Sequence, residues 1–287
     1  MWRTHRPGSI LLLVDSAACS MAATVQALRL ARTTGAVLHV GHIVALTLPR
    51  NRVLVQTPLQ RSIEEGLIRD ACRQWSELVA VVGAYAPPDV DVQIDHPAPA
   101  LRRLITVYRP DFLIMGIPDE VTFGLDCGQV AGACLHAASI PLLLVRSGHV
   151  RGFRSILACI DPSNTDHDVL GLAIKMAGCY ELPLSVLHVA HARRDRALLP
   201  GMSDLPDTLR PCRCAVQMQA AGFFGKSKAD CDPRPSQRCA VLADPHPVRS
   251  IIRYVLQESP DLVVLGRSGR FLLRRLLCGT TAEHVLN

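Results

Sequence analysis

The chain has 287 residues, 49% hydrophobic, 20% charged and only 4% aromatic, with a formal net charge of +6. This excludes a disordered chain, and so few aromatics argue against a base-stacking platform for single-stranded nucleic acid. The core must be aliphatic, which suits buried strands of Val, Ile and Leu under helices, and the mild charge admits small anions without demanding nucleic acid.

The N-terminus superficially resembles a secretory leader, with Arg3, His5 and Arg6 before the apolar residues 10–14. That run is too short, and Asp15 interrupts it. A strand ending in a functional Asp explains it better. No stretch reaches the roughly 18 apolar residues of a membrane helix, so no membrane span is expected.

In chain order, residues 9–15 read as a strand, 20–33 as a helix and 37–45 as a second strand. Residues 46–59 read as a loop. Ser62 and Glu65 have capping-box spacing and open a helix with Ile63, Leu67, Ala71, Trp75, Leu78 and Val79 along one face. A third strand at 90–94, a helix at 97–107 and a fourth strand at 112–115 follow. A helix at 130–138 then leads to a fifth strand at 142–145. Strands alternating with helices imply a parallel sheet with right-handed crossovers.

The pattern then begins again. Residues 155–160 and 184–190 are strands around a helix near 166–177. Residues 193–237 are broken by Cys, Pro and Gly, with one helix near 214–221. A strand at 238–242, a helix at 247–257 and a strand at 262–265 follow. Short motifs repeat: ILLLVD at 10–15 and ILACID at 156–161, VLHV at 37–40 and 186–189, PDFLIMG at 110–116 and PDLVVLG at 260–266. The offsets are 146, 149 and 150. This means two similar domains, 1–148 and 149–287. Copy two stops in its last helix, without a counterpart of the strand at 142–145. Its strand at 261–265 is then an exposed edge that invites another chain.

Eleven cysteines are scattered, several in apolar runs where a free thiol behaves as a small hydrophobe. They point to a reducing compartment. Cys212, Cys214, Cys231 and Cys239 fit no standard zinc spacing. No metal site is expected.

The stretch after residue 265 carries the chemistry. Gly266 and Gly269 follow a buried strand, and Gly279 and Thr280 come after nine intervening residues. Glycine turns sharply and lets a ligand approach the backbone. Thr280 and Glu283 form a second capping box, so a helix starts there. Its first N–H groups and positive dipole end suit phosphate. The bland alternative is a tight strand-to-helix connection. Asp161 could likewise be only a turn residue before Pro162, and Ser268 could donate to phosphate or merely fill the turn. His39 and His188 lie inside strands, where a satisfied core histidine is the better reading than a metal ligand. Copy one has Ile117, Pro118 and Asp119 where the second glycine should stand, and Gly128-Gln129 in place of the glycine-hydroxyl pair. A carboxylate repels phosphate and proline removes a donor, so copy one is not expected to bind.

Gly-x2-Gly-x9-Gly-Thr resembles the ATP-binding signature of the universal stress protein family, and the repeat makes the whole chain similar to its tandem members. The resemblance implies an α/β fold of two doubly wound parallel sheets, order 3-2-1-4-5, the second lacking its last strand. It implies a cytoplasmic stress-response protein that binds ATP, with or without Mg2+, through Asp161, Val189, Gly266, Ser268, Gly269, Gly279 and Thr280. Asp161 would contact the nucleotide, and Val189 would line the base pocket. Such a protein acts as a switch or partner-binding module, with a second copy of the chain or another protein as partner. The alternatives are a slow ATP-hydrolysing or phosphoryl- or nucleotidyl-transferring enzyme, and a scaffold without nucleotide. No Walker lysine and no Mg2+ carboxylate pair supports efficient catalysis.

Overall fold

The structure is a computed structural model. It describes residues 7–14, 17–45, 58–83, 88–118, 130–131, 134, 140–160, 167–190, 238–244 and 246–266. Two compact units divide the chain, Trp2–Gly152 and Phe153–Asn287.

The first unit is built on a five-stranded parallel sheet. Its strands are β1 (Ser9–Val14), β2 (Val37–Ala45), β3 (Val90–Asp95), β4 (Phe112–Ile117) and β5 (Leu142–Arg146), in the order β3-β2-β1-β4-β5. The most apolar strands lie innermost. Ile10, Leu11, Leu12 and Leu13 of β1 are all at most 1% exposed, because helices cover both sheet faces. The crossovers include α1 (Ala17–Thr34), α2 (Pro58–Val82) and α3 (Pro97–Tyr108). α2 docks through Ala71, Trp75, Leu78 and Val79, and the Trp75 indole donates to the Pro88 carbonyl at 2.9 Å. Gly116 allows β4 to lie close under α1, since a Cβ there would overlap the Cys19 carbonyl.

The second unit contains β6 (Ile156–Cys159), β7 (Leu184–Ala190), β8 (Arg238–Ala243) and β9 (Leu262–Leu265), in the order β8-β7-β6-β9. Its helices are α4 (His167–Tyr180) and α5 (Pro247–Glu258). This is the expected order, with four strands among the described residues. The helix expected at 214–221 and the one opening at Thr280 lie outside the described residues.

The duplicate details agree along the crossover that leads to the fourth strand of each sheet. α3 and α5 both start on proline after a histidine, and both end on a left-handed residue, Arg109 at φ 43 and Ser259 at φ 47. The Pro-Asp pair before the fourth strand is a clamp. Asp111 Oδ2 accepts from Gly8 N at 2.8 Å and Ser9 N at 3.1 Å, fastening the start of β1. Asp261 Oδ2 accepts from Arg154 N at 2.8 Å before β6.

Three sequence expectations need correction. α2 begins at Pro58, so Ser62 lies inside the helix and does not cap it. Proline pre-sets the first-turn dihedral and starts the helix a turn early. α1 likewise begins at Ala17, ahead of residue 20. The VLHV tetrapeptides are not structural counterparts. Ile10 pairs with Leu38, whereas Ile156 pairs with Leu184. The register therefore matches His42, and not His39, with His188. A three-residue slip would put every side chain on the opposite sheet face. Accordingly His39 stacks on Tyr108 of α3, whereas Leu187 and Val189 take the α5 side of β7 and leave His188 on the other face.

Asp111→Ala strands two backbone donors and is expected to destabilise the first unit by about 1–3 kcal/mol. Asp111→Asn, which keeps an acceptor, should lose less. Urea unfolding followed by circular dichroism checks this. Equal midpoints for the parent and the Ala variant would refute the clamp.

Candidate functional site

In a parallel sheet all carboxyl ends lie along one edge. Ligands sit there where the strand order reverses. In the second unit the chain goes from β6 outward to β7 and β8, then crosses back to β9 on the other side of β6. The reversal lies between β6 and β9. Their register pairs Cys159 with Leu265, so Ile160 and Gly266 leave the sheet side by side. Ile160 is buried and Gly266 half-buried. A glycine at this point keeps side-chain bulk out of the crevice.

Val189 stands near the end of β7, one strand away. It packs with Leu265, Leu242 and Ala240 on a cluster of Leu157, Cys159, Leu187 and Ile251. Val189 pairs with Leu242 of β8. The floor beside the crevice is therefore aliphatic, which suits the flat apolar face of a base. Asp244, just past β8, is turned to the start of α5. It accepts from His246 N at 2.7 Å and Ser250 Oγ at 2.6 Å. Those two bonds, Ser250's first, hold its pKa below the usual carboxylate value.

Of the residues singled out in the sequence, Val189 and Gly266 fall at this edge, separated by β6. Asp161 directly follows Ile160 but lies outside the described residues, as do Ser268, Gly269, Gly279 and Thr280. What is described fits a nucleotide: a bare glycine at the switch point and an aliphatic floor beside it.

His188 is buried, and its Nδ1 lies 3.0 Å from the Ile160 carbonyl. It is the satisfied core histidine that its strand position suggests. His39 stacks on Tyr108 with centroids 4.5 Å apart, and burial lowers its pKa. Among the described residues no group of three or more His, Cys, Asp or Glu could hold a metal.

The first unit builds a different edge. β4 continues through Gly116, paired with Val145, to Ile117, paired with Arg146. The Ile117 carbonyl accepts from Ser147 N at 2.9 Å. The glycine is thus held in the ladder, where β9 stops short of Gly266. Opposite Ile43, the counterpart of Val189, stands Gln93. It donates to Asp91 at 2.6 Å and accepts from Arg103 at 3.1 Å. Arg103 also pairs with Asp95 at 2.6 Å. Burial tends to raise the Asp95 pKa, but the bonds from Arg103 and His96 N outweigh it and lower the pKa. Sequence reasoning missed this contrast and the part Leu242 plays. The alternation Asp91, Gln93, Asp95 against Ala240, Leu242, Asp244 was the available signal.

The family model described as the universal stress protein family matches twice, over residues 8–146 and 152–287. A solved universal stress protein from Archaeoglobus fulgidus is similar with a TM-score of 0.63 at 15% identity, over 97% of this chain and 94% of that one. Another from Pseudomonas aeruginosa gives 0.58 at 16% identity, over 98% and 89%. At these identities the likeness is one of fold. No curated protein is significantly similar in sequence.

Burial pushes the Cys159 thiol up to about 12, and Cys134 likewise to about 12. Cys72 is exposed. At pH 8 a maleimide is expected to label Cys72 and spare Cys159 and Cys134 until the chain is unfolded. Mass spectrometry of the labelled peptides checks this. Labelling of Cys159 as fast as Cys72 would mean that the floor of the site opens.

Proposed function

The chain belongs to the universal stress protein family, and from that membership we propose that its second unit binds a nucleotide, with ATP the first candidate and Mg2+ its accompanying ion. The observation that carries this reading is the paired departure of Ile160 and Gly266 at the reversal of strand order, beside the aliphatic floor of Val189 and Leu242. Asp161 is the next residue after Ile160, and Gly266 opens the glycine signature. In this reading the base lies against Val189, and Asp161 accepts from the nucleoside. Gly266, Ser268, Gly269, Gly279 and Thr280 bring backbone N–H and hydroxyl donors to the phosphates.

The first unit does not bind in the same way. Its glycine is held in β4, and Gln93, Arg103 and Asp95 bond one another where the second unit has an aliphatic floor. The protein then acts as a nucleotide-responsive switch in a stress response, through a second copy of the chain or another protein, in the cytoplasm. No helix of the described residues is long and apolar enough to cross a membrane.

Calorimetric titration with Mg-ATP tests this. One site per chain is expected, lost in Gly279→Val and kept in Asp15→Ala. At a hundredfold excess over Kd the ligand should stabilise the fold by about 2.7 kcal/mol. Two sites, or equal affinity in Gly279→Val, would refute the assignment. Product analysis should show turnover far below the order of 10 per second typical of enzymes. Turnover near that rate, abolished in Asp161→Ala, would make the protein an ATP-hydrolysing enzyme instead.

A further inference from the structure

We propose that His188 is a positioning residue for the nucleotide site and acts through Asp161; this rests on the nucleotide reading above. The backbone ladder between β6 and β7 closes with Ile160 N donating to the Leu187 carbonyl at 2.9 Å. The next acceptor along β6 is the Ile160 carbonyl, and the His188 imidazole takes it, Nδ1 to O at 3.0 Å. A carbonyl only accepts, so Nδ1 carries the proton, and in the neutral ring Nε2 is the bare nitrogen. A side chain thus takes up the strand's last carbonyl where β6 ends.

The consequence follows from covalent geometry. The Ile160 carbonyl and the Asp161 nitrogen belong to one planar peptide. Holding the oxygen fixes the plane of the peptide through which the chain leaves β6 for Asp161. The imidazole itself is 7% exposed and faces away from the Val189 side of β7, so it does not touch a ligand on that floor. A buried polar ring is costly unless bonded, and this one is bonded to the peptide that leads into the site. The register gives the first unit a histidine at the same place: His42 pairs with Val14, the residue before Asp15. His39, which the VLHV match suggests, does not hold this place.

The test uses the full chain with His188→Leu, which keeps bulk and loses the donor, and His188→Asn, whose amide can reach the position of Nδ1. Hydrogen exchange is read at the Ile160 amide, which closes the ladder to Leu187, and, as control, at Leu157 in the middle of β6. Exchange at Ile160 is expected to rise roughly tenfold in His188→Leu, with Leu157 unchanged, and to return near the parent rate in His188→Asn. No change at Ile160, or an equal rise at both amides, would overturn the proposal. Mg-ATP affinity is measured in parallel. His188→Leu should weaken it roughly tenfold in the parent and not at all in an Asp161→Ala background, as expected of two groups acting as one. Equal losses in both backgrounds would also overturn it. If the parent binds no Mg-ATP, the nucleotide reading falls, and the exchange rates alone decide the role of His188.

Discussion

Everything at the site depends on the parallel pairing of β6 with β7 on one side and β9 on the other. Parallel pairing puts the carboxyl ends of all strands on one edge, and the register decides which residues emerge together. Cys159 is level with Leu187 and with Leu265. From that alone, the residues after Ile160 and after Leu265 start from neighbouring points. Side chains alternate along a strand, so a slip of one residue would turn Val189 away from the aliphatic floor and bring His188 onto it. The buried residues Ile156–Cys159, Leu184, Val186, Leu187 and His188 hold this register through their packing on both faces.

The two units share one plan and diverge at one end. They keep the same devices along the last crossover: the histidine-proline helix starts after β3 and β8, and at the amino edge the left-handed helix ends and the Asp111 and Asp261 clamps. These stabilise strand and helix termini whatever the unit binds. At the carboxyl edge the first unit lengthens β4 against β5 and links Asp91, Gln93, Arg103 and Asp95. The second ends β9 early and keeps Ala240 and Leu242 apolar. Function carried on the loops of a stable scaffold leads to this distribution.

Much of this was legible in the residues. The strands were, because central parallel strands are continuous aliphatic runs such as ILLLV, and their order came with the family resemblance. The tetrapeptide VLHV misled because identity over four residues carries no information about register, which is set by pairing partners far away in sequence. The Ser62 and Glu65 box misled because Pro58 competes for the same helix start. The part played by His188 could not be read, since its partner is a backbone carbonyl and the sequence does not say where a ladder ends. The contrast between Gln93 and Leu242 was visible as letters. It gained meaning only when the register put each beside the residue that ends the second strand.

Amide chemical shifts of the labelled full chain, followed as Mg-ATP is added, test the central claim most directly. The account predicts saturable shifts at Val189, Leu265 and Gly266, with none at the first-unit counterparts Ile43, Met115 and Gly116. Shifts at the first-unit edge, or no shifts at Val189 and Gly266 under saturating nucleotide, would contradict it.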